Sequence, residues 1–360
     1  HWLDNIRYCA LDAGGGLDGI RTLAAVTEWT HTPGGNRNID PAWPDYVPTL
    51  AGQIDEAFAH GLRQFPLTIF GGGPMDIFGT LDKVIEACRG REHKIGYFEV
   101  ANEYNNGNKI SENDLVECGK RLRLAFPSSL MALSRPASND KEFALMKGMM
   151  RQVGGPMIFP MHTDRNQSDR NWRQVRQNYD FQGIEWVGSD QEGPGPASSV
   201  GELWKPRQLA IKRFLGHMAG TGVHVHHTGN GVFGVADPSR NRQANIYECP
   251  GIGAQWAALR AIEPWLPEGV QNWKVVNNAR STHPCPLPED VSPNKHGDLV
   301  RGAGFWQGEA NTPYGDVNKN YMALSPDGRH FVGVLCGVNA ERDSADRRVG
   351  VAKRRLIVRA

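Results

Sequence analysis

Over its first two-thirds the chain repeats one motif: a short apolar run, a polar or glycine-rich loop, then an amphipathic segment. The apolar runs are "IRYCAL" (6–11), "FPLTIF" (65–70), "KIGYFEV" (94–100), "SLMALS" (129–134), "PMIFPMH" (156–162), "GIEWVGS" (183–189) and "GVHVHHTG" (222–229). Each has the length of a strand buried on both faces. Between them lie helical patterns. "TLAGQIDEAFAHGL" (49–62) places Leu50, Ile54 and Phe58 four apart behind a Thr49 cap, and "TLDKVIEACRG" (80–90) gathers Leu81, Val84, Ile85 and Cys88 on one face and stops at Gly90. Further helices are predicted over 112–126, 140–153, 171–180, 206–220 and 251–266. Strands alternating with helical crossovers predict an α/β fold with a parallel sheet.

Two architectures fit seven such units. A doubly wound sheet calls for a switch point and, in its dinucleotide-binding form, a G-x-G-x-x-G after the first strand; the chain has neither. A (β/α)8 TIM barrel needs a functional loop at the C-terminal end of every strand, which is where these polar loops fall. The barrel is the expected fold over residues 1–268. Beyond Trp265 the pattern turns to short β segments, with "SPDGRH" an evident hairpin turn between "NYMAL" and "HFVGVL". Residues 269–360 are therefore expected to form a second domain. It comprises an irregular connection, richest in proline, glycine and histidine over 281–320, and a small antiparallel β-sandwich.

Composition excludes some partners. A net charge of +1 over 360 residues gives no electrostatic reason to expect nucleic acid or an anionic membrane. No apolar run reaches the roughly 20 residues of a membrane span. The six cysteines are scattered without a C-x-x-C pair, against a zinc ribbon or a disulfide scaffold. Glycine (42), proline (23) and tryptophan (10) are abundant, which fits shaped loops and flat-faced ligands. The first residue is His1, with no signal-peptide pattern, so the compartment stays open.

The residues that bear chemistry stand at strand ends. "YFEVANEYNNG" delivers Asn102 and Glu103 side by side where an apolar strand meets a polar loop. Three strands later "EWVGSDQEGPG" offers Asp190 and Glu192. Carboxylates on facing strands about 5 Å apart can cleave a glycosidic bond, one attacking the anomeric carbon while the other protonates the leaving oxygen. An asparagine beside the acid suits a hydrogen bond to the sugar 2-hydroxyl, which strengthens in the transition state.

On these residues the chain resembles the retaining glycoside hydrolases of clan A, TIM barrels with Asn-Glu ending strand 4 and a nucleophilic glutamate ending strand 7. The segment around Tyr46–Phe70 is similar to their second helix and third strand, and the likeness runs from about Ile6 to Gly234. The resemblance implies Glu103 as acid/base, Glu192 as nucleophile, Asn102 as a substrate contact, a carbohydrate substrate and no cofactor. It also makes "IRYCAL" strand 2, so that strand 1 is expected upstream of His1. The chain departs from the family in three places. Its nucleophile loop reads Ser-Asp-Gln-Glu, leaving Asp190 as an alternative nucleophile. His162 stands where a supporting tyrosine is expected, and "VHVHHTGNG" lacks the strand-8 tryptophan.

The remaining candidates are weaker signals. His226 and His227 are expected at the barrel mouth as substrate contacts, with Tyr104 and Trp204 stacking on sugar faces. Trp186, mid-strand, suits stacking or core equally. His224 and His226 alternate on one strand, yet one pair lacks the further ligands of a metal site, so no metal is expected. Two other readings stay open: a binding-only or structural barrel within a larger extracellular or virion assembly, or a metal-dependent hydrolase needing His224, His226 and a carboxylate to converge.

Overall fold

The computed structural model describes residues 2–10, 16–27, 39–105, 110–134, 140–161, 187–194, 206, 210, 213, 217, 221–227, 236, 243–269, 274–275, 322–327 and 329–333. The chain opens with a helix, α1 (Trp2–Cys9), where a strand was expected from "IRYCAL". Trp2, Ile6 and Cys9 recur at helical spacing, and Ile6 and Cys9 are buried. The run is one stripe of an amphipathic helix, which a six-residue window cannot distinguish from a strand. The first parallel strand is instead β1 (Gly19–Val26), "GIRTLAAV".

Six more units follow in the expected order: α2 (Tyr46–Ala59), β2 (Arg63–Gly72), α3 (Ile77–Cys88), β3 (Phe98–Ala101), α4 (Glu112–Ala125), β4 (Met131–Ala132), α5 (Asp140–Val153), β5 (Ile158–Met161), β6 (Val187–Pro194) and β7 (Thr221–His227). Positions 206, 210, 213 and 217 are helical, and α6 (Ile252–Ile262) closes the series. The α2 cap is Asp45 rather than Thr49, because Pro48 fits inside the first turn, where its missing N–H costs nothing. β6 starts four residues later than its apolar run and carries Ser189 to Pro194 within the strand.

All described strand pairs in this series are parallel, in the order β1-β2-β3-β4 and β5-β6-β7. The two ladders meet at a Met131–Met157 bridge, where Met131 N donates to Pro156 O at 3.2 Å. One face is covered by α2 to α5. Leu50 and Ile54, Leu81 and Val84, Leu115 and Leu122, and Met146 and Met150 form one buried cluster with Leu67, Phe98 and Val100 of the strands. Each buried aliphatic side chain of this layer contributes about 1.5–3 kcal/mol.

The other face has its own small cluster, in which Tyr97, Ala132 and Ile158 pack with Phe65, Leu130 and Val223. These residues come from, or directly precede, β2, β3, β4, β5 and β7, so one cluster draws on both ladders on the face away from α2 to α5. Gly96 makes room for it. A Cβ there would stand 1.8 Å from the Phe65 ring. A third cluster joins Ile6 and Cys9 of α1 to Trp256 and Leu259 of α6, against Leu17 and Ile20 beside β1.

In the C-terminal region β8 (Lys274–Val275), β9 (Met322–Leu324) and β10 (Phe331–Gly333) form an antiparallel sheet in the order β10-β9-β8. The "SPDGRH" turn joins β9 to β10. Ser325 N donates to His330 O at 2.8 Å, and Arg329 N donates to Asp327 Oδ1 at 3.1 Å. The remainder of the expected sandwich, and the 281–320 connection, lie outside the described residues.

Candidate functional site

Along β3 the side chains alternate between the two faces. Phe98 and Val100 enter the helix-side core, while Tyr97 packs in the inner cluster and Glu99 meets the inner polar residues of β1 and β2. Inner β3 therefore turns from aromatic to ionic within two residues. Glu99 is fully buried, and an ionised carboxylate there needs partners to offset lost hydration. Thr68 Oγ1 of β2 donates to Glu99 Oε2 at 2.6 Å, and Arg21 Nη2 of β1 donates to the same oxygen at 3.0 Å. Arg21 Nη2 also donates to Asn102 Oδ1 at 2.8 Å. Three strands thus contribute to one polar network immediately before the C-terminal end of β3.

The backbone at that end is held from both sides. Asn102 N donates to Phe70 O of β2 at 2.9 Å, and Tyr104 N donates to the buried Ser134 Oγ, beyond β4, at 3.0 Å. Between these anchors Glu103 has φ +48°, the one left-handed non-glycine residue among those described. A side chain in that conformation costs on the order of 1–2 kcal/mol. Such strain persists where the surroundings over-determine it, and it collects at functional positions. Both Asn102 and Glu103 are half-buried.

The other candidates separate. Tyr104 turns into the protein: it is 6 % exposed, its ring belongs to the helix-side core, and burial followed by nearby Glu142 and Glu112 pushes its hydroxyl up to about 12. A ring so placed packs the core. His226 accepts a hydrogen bond at Nδ1 from Trp256 Nε1 at 2.8 Å, which commits it to the interface between β7 and α6. His224, Val223 and His227 share the same strand, with Val223 in the inner cluster. Asp190 and Glu192 both fall within β6, not in a loop beyond it. The side chains of Asp190, Glu192 and His227, and residues His162, Trp186 and Trp204 altogether, lie outside what is described. Among the described residues no three His, Cys, Asp or Glu side chains are grouped to hold a metal ion, and no helix is long and apolar enough to cross a membrane.

Arg21, Thr68 and Glu99 were not legible as site residues. A faint signal existed: an arginine and a glutamate each interrupt an otherwise apolar strand, and two such charges in one parallel sheet call for each other.

No family model matches the chain, and no curated protein sequence matches it either. Solved structures do. The exo-β-1,4-mannosidase Op5Man5 from Opitutaceae bacterium strain TAV5 aligns at TM-score 0.54 and 12% identity over 74% of this chain. This chain covers 56% of that protein's length. The catalytic domain of a mannanase from Streptomyces sp. SirexAA-E aligns at TM-score 0.47 and 14% identity, covering 75% of this chain and 82% of that one. A spore coat polysaccharide biosynthesis protein from Bacillus subtilis aligns at TM-score 0.43 and 12% identity, covering 75% and 66%. At such identities the likeness is one of fold, and it rests on the first of the three: an α/β fold with a parallel sheet, similar to that of a glycoside hydrolase.

Proposed function

We propose that the chain is a retaining glycosidase acting on a polysaccharide or glycoconjugate. The observation that carries this reading is the strained Glu103 beside an Asn102 fixed by Arg21, at the C-terminal end of a parallel strand. In the proposed mechanism Glu103 protonates the departing oxygen and then activates water, while Glu192 forms and releases the glycosyl-enzyme. Asn102 holds the sugar 2-hydroxyl. The acid must stay protonated until the nucleophile is glycosylated, and the charge of a neighbouring carboxylate does this. No cofactor takes part.

The proposed architecture is a (β/α)8-type barrel over residues 1–268, followed over 269–360 by a connection and a β-sandwich. Its support is the cluster that holds Val223 of β7 together with residues of β2 to β5, and the α6 cluster that touches both β7 and the flank of β1. Register supports Glu192 over Asp190 as nucleophile. β6 pairs Asp190 with His224 but Gly193 with His226, so a bulge takes up one extra residue between them. Paired positions in a ladder share a face, and His226 is on the helix side. The extra residue is Gln191 or Glu192, and bulges of this kind are frequent beside active sites.

The test uses leaving groups. Aryl β-glycosides, β-mannosides among them, would be offered to the wild-type protein and to Glu103→Gln. Loss of the general acid lowers turnover of poor leaving groups by roughly 10²–10⁴-fold. Dinitrophenyl glycosides, which need little protonation, should lose far less in the glycosylation step. Equal loss on both sinks the acid role. Saturable binding of oligosaccharides by a wild type that hydrolyses none of them favours the binding-only barrel.

A further inference from the structure

The Glu99 carboxylate presents a cost that packing does not explain. Its Oε2 accepts from both Thr68 and Arg21, while its Oε1, buried, has no hydrogen-bond partner among the described residues. Breaking one half of such a buried pair is strongly destabilising, but apolar residues in place of both are often neutral or better. The pair is thus poorly accounted for as a stabilising device, and its geometry indicates another use. Arg21 carries the contact onward. The same Nη2 that touches Glu99 donates to Asn102 Oδ1.

That last hydrogen bond fixes the orientation of an amide. A guanidinium only donates, so the Asn102 atom facing it must be the oxygen. Nδ2, with its two N–H donors, then lies on the far side of the amide from Arg21. A free asparagine can turn over and offer either its carbonyl or its amine; this one is restricted to one presentation. Thr68 sets the other end of the chain, since its hydroxyl donates to Glu99 Oε2 and Arg21 Nε lies 3.4 Å from its oxygen.

We infer that Glu99 is a positioning residue, aiming Arg21 at Asn102 so that Asn102 presents Nδ2 donors, never its carbonyl, to the ligand at the end of β3. The ligand group recognised there is a hydrogen-bond acceptor. On the glycosidase reading proposed above, on which this inference rests, that acceptor is the oxygen of the sugar 2-hydroxyl. A site that selects an acceptor discriminates by the presence of that oxygen and tolerates its absence poorly.

The experiment compares Glu99→Gln and Thr68→Val with wild type on matched aryl glycosides with and without the 2-hydroxyl. Residues that orient metal ligands matter by roughly 10–100-fold, and the same scale is expected of one that orients a substrate contact. Glu99→Gln is expected to lower kcat/KM by about that factor on the 2-hydroxy substrate, and by less than about threefold on the 2-deoxy one. Thr68→Val should follow the same pattern more weakly. Equal losses on both substrates, in a wild type that is active, overturn the positioning role and leave the glycosidase reading intact. A wild type inactive on every glycoside removes that reading, and a crystal structure of Glu99→Gln then decides the inference separately. A displaced Arg21 and a turned Asn102 amide support it, and an unchanged Asn102 overturns it. Circular dichroism and melting of each variant identify any that fail to fold. Should Glu99→Gln do so, Thr68→Val carries both measurements.

Discussion

Arg21 on the first described strand lies 2.8 Å from the side-chain oxygen of Asn102, at the end of the third, across 81 residues of sequence. A cation in the interior thereby sets the direction of an amide at the rim. The same cation balances Glu99, whose carboxylate is fully buried.

Stability should report this coupling. Among the described residues Arg21→Met leaves Thr68 as the remaining hydrogen-bond partner of the buried Glu99 and should cost about 3–5 kcal/mol, read from denaturant unfolding. Arg21→Met combined with Glu99→Leu removes both charges and should recover most of that loss. Simple addition of the two single-variant costs would show that the residues do not act as a pair.

Backbone strain at Glu103 gives a second, independent measurement. Glu103→Ala and Glu103→Gly both delete the carboxylate, but only glycine adopts φ +48° without penalty. The glycine variant should be more stable than the alanine one by about 1 kcal/mol, the reverse of the usual order. Both should lose hydrolysis. Alanine equal to or better than glycine would remove strain from the account.

The acid limb of stability should depend on Asp55. Arg91 meets both of its oxygens at 2.9 Å and Lys94 reaches one at 2.7 Å, tying α2 to the turn before β3. Hydrogen bonding from Arg91 is the main reason its carboxyl is held below the ordinary carboxylate range; burial opposes the shift and Lys94 adds to it. A depressed folded pKa stabilises above the unfolded value near 4, and the contribution is lost as pH falls through the folded value. Asp55→Asn should therefore cost up to about 1 kcal/mol at pH 7, given the solvent screening of so exposed a pair. The difference from wild type should shrink as pH falls below the unfolded value and vanish once Asp55 is protonated in the folded state as well. A gap that persists at low pH would point to packing instead of charge.

What the sequence revealed follows the range of the interactions. Helices α2 to α5 were legible because their apolar residues repeat every three or four positions, and β2 to β5 because they are short apolar runs between turn residues. The Asn102-Glu103 pair was legible because it is contiguous. β1 escaped notice because Arg21 interrupts it, and what makes an arginine tolerable there is a glutamate 78 residues away. The burial of Tyr104 depends likewise on α4 and α5 closing over it. The α1 segment reads as a strand in sequence for a local reason: one stripe of an amphipathic helix and a short buried strand look alike over six residues.

A covalent intermediate on Glu192, formed with the help of Glu103, is tested most directly by a slow substrate that traps it. The protein would be incubated with a 2-deoxy-2-fluoro β-glycoside bearing a dinitrophenyl leaving group, then digested and sequenced by tandem mass spectrometry. The expected result is one stoichiometric glycosyl adduct on Glu192, with products of the β-anomer when an ordinary β-glycoside is turned over. An adduct on Asp190 moves the nucleophile by two residues. Hydrolysis to the α-anomer with no adduct on either carboxylate contradicts the retaining mechanism itself.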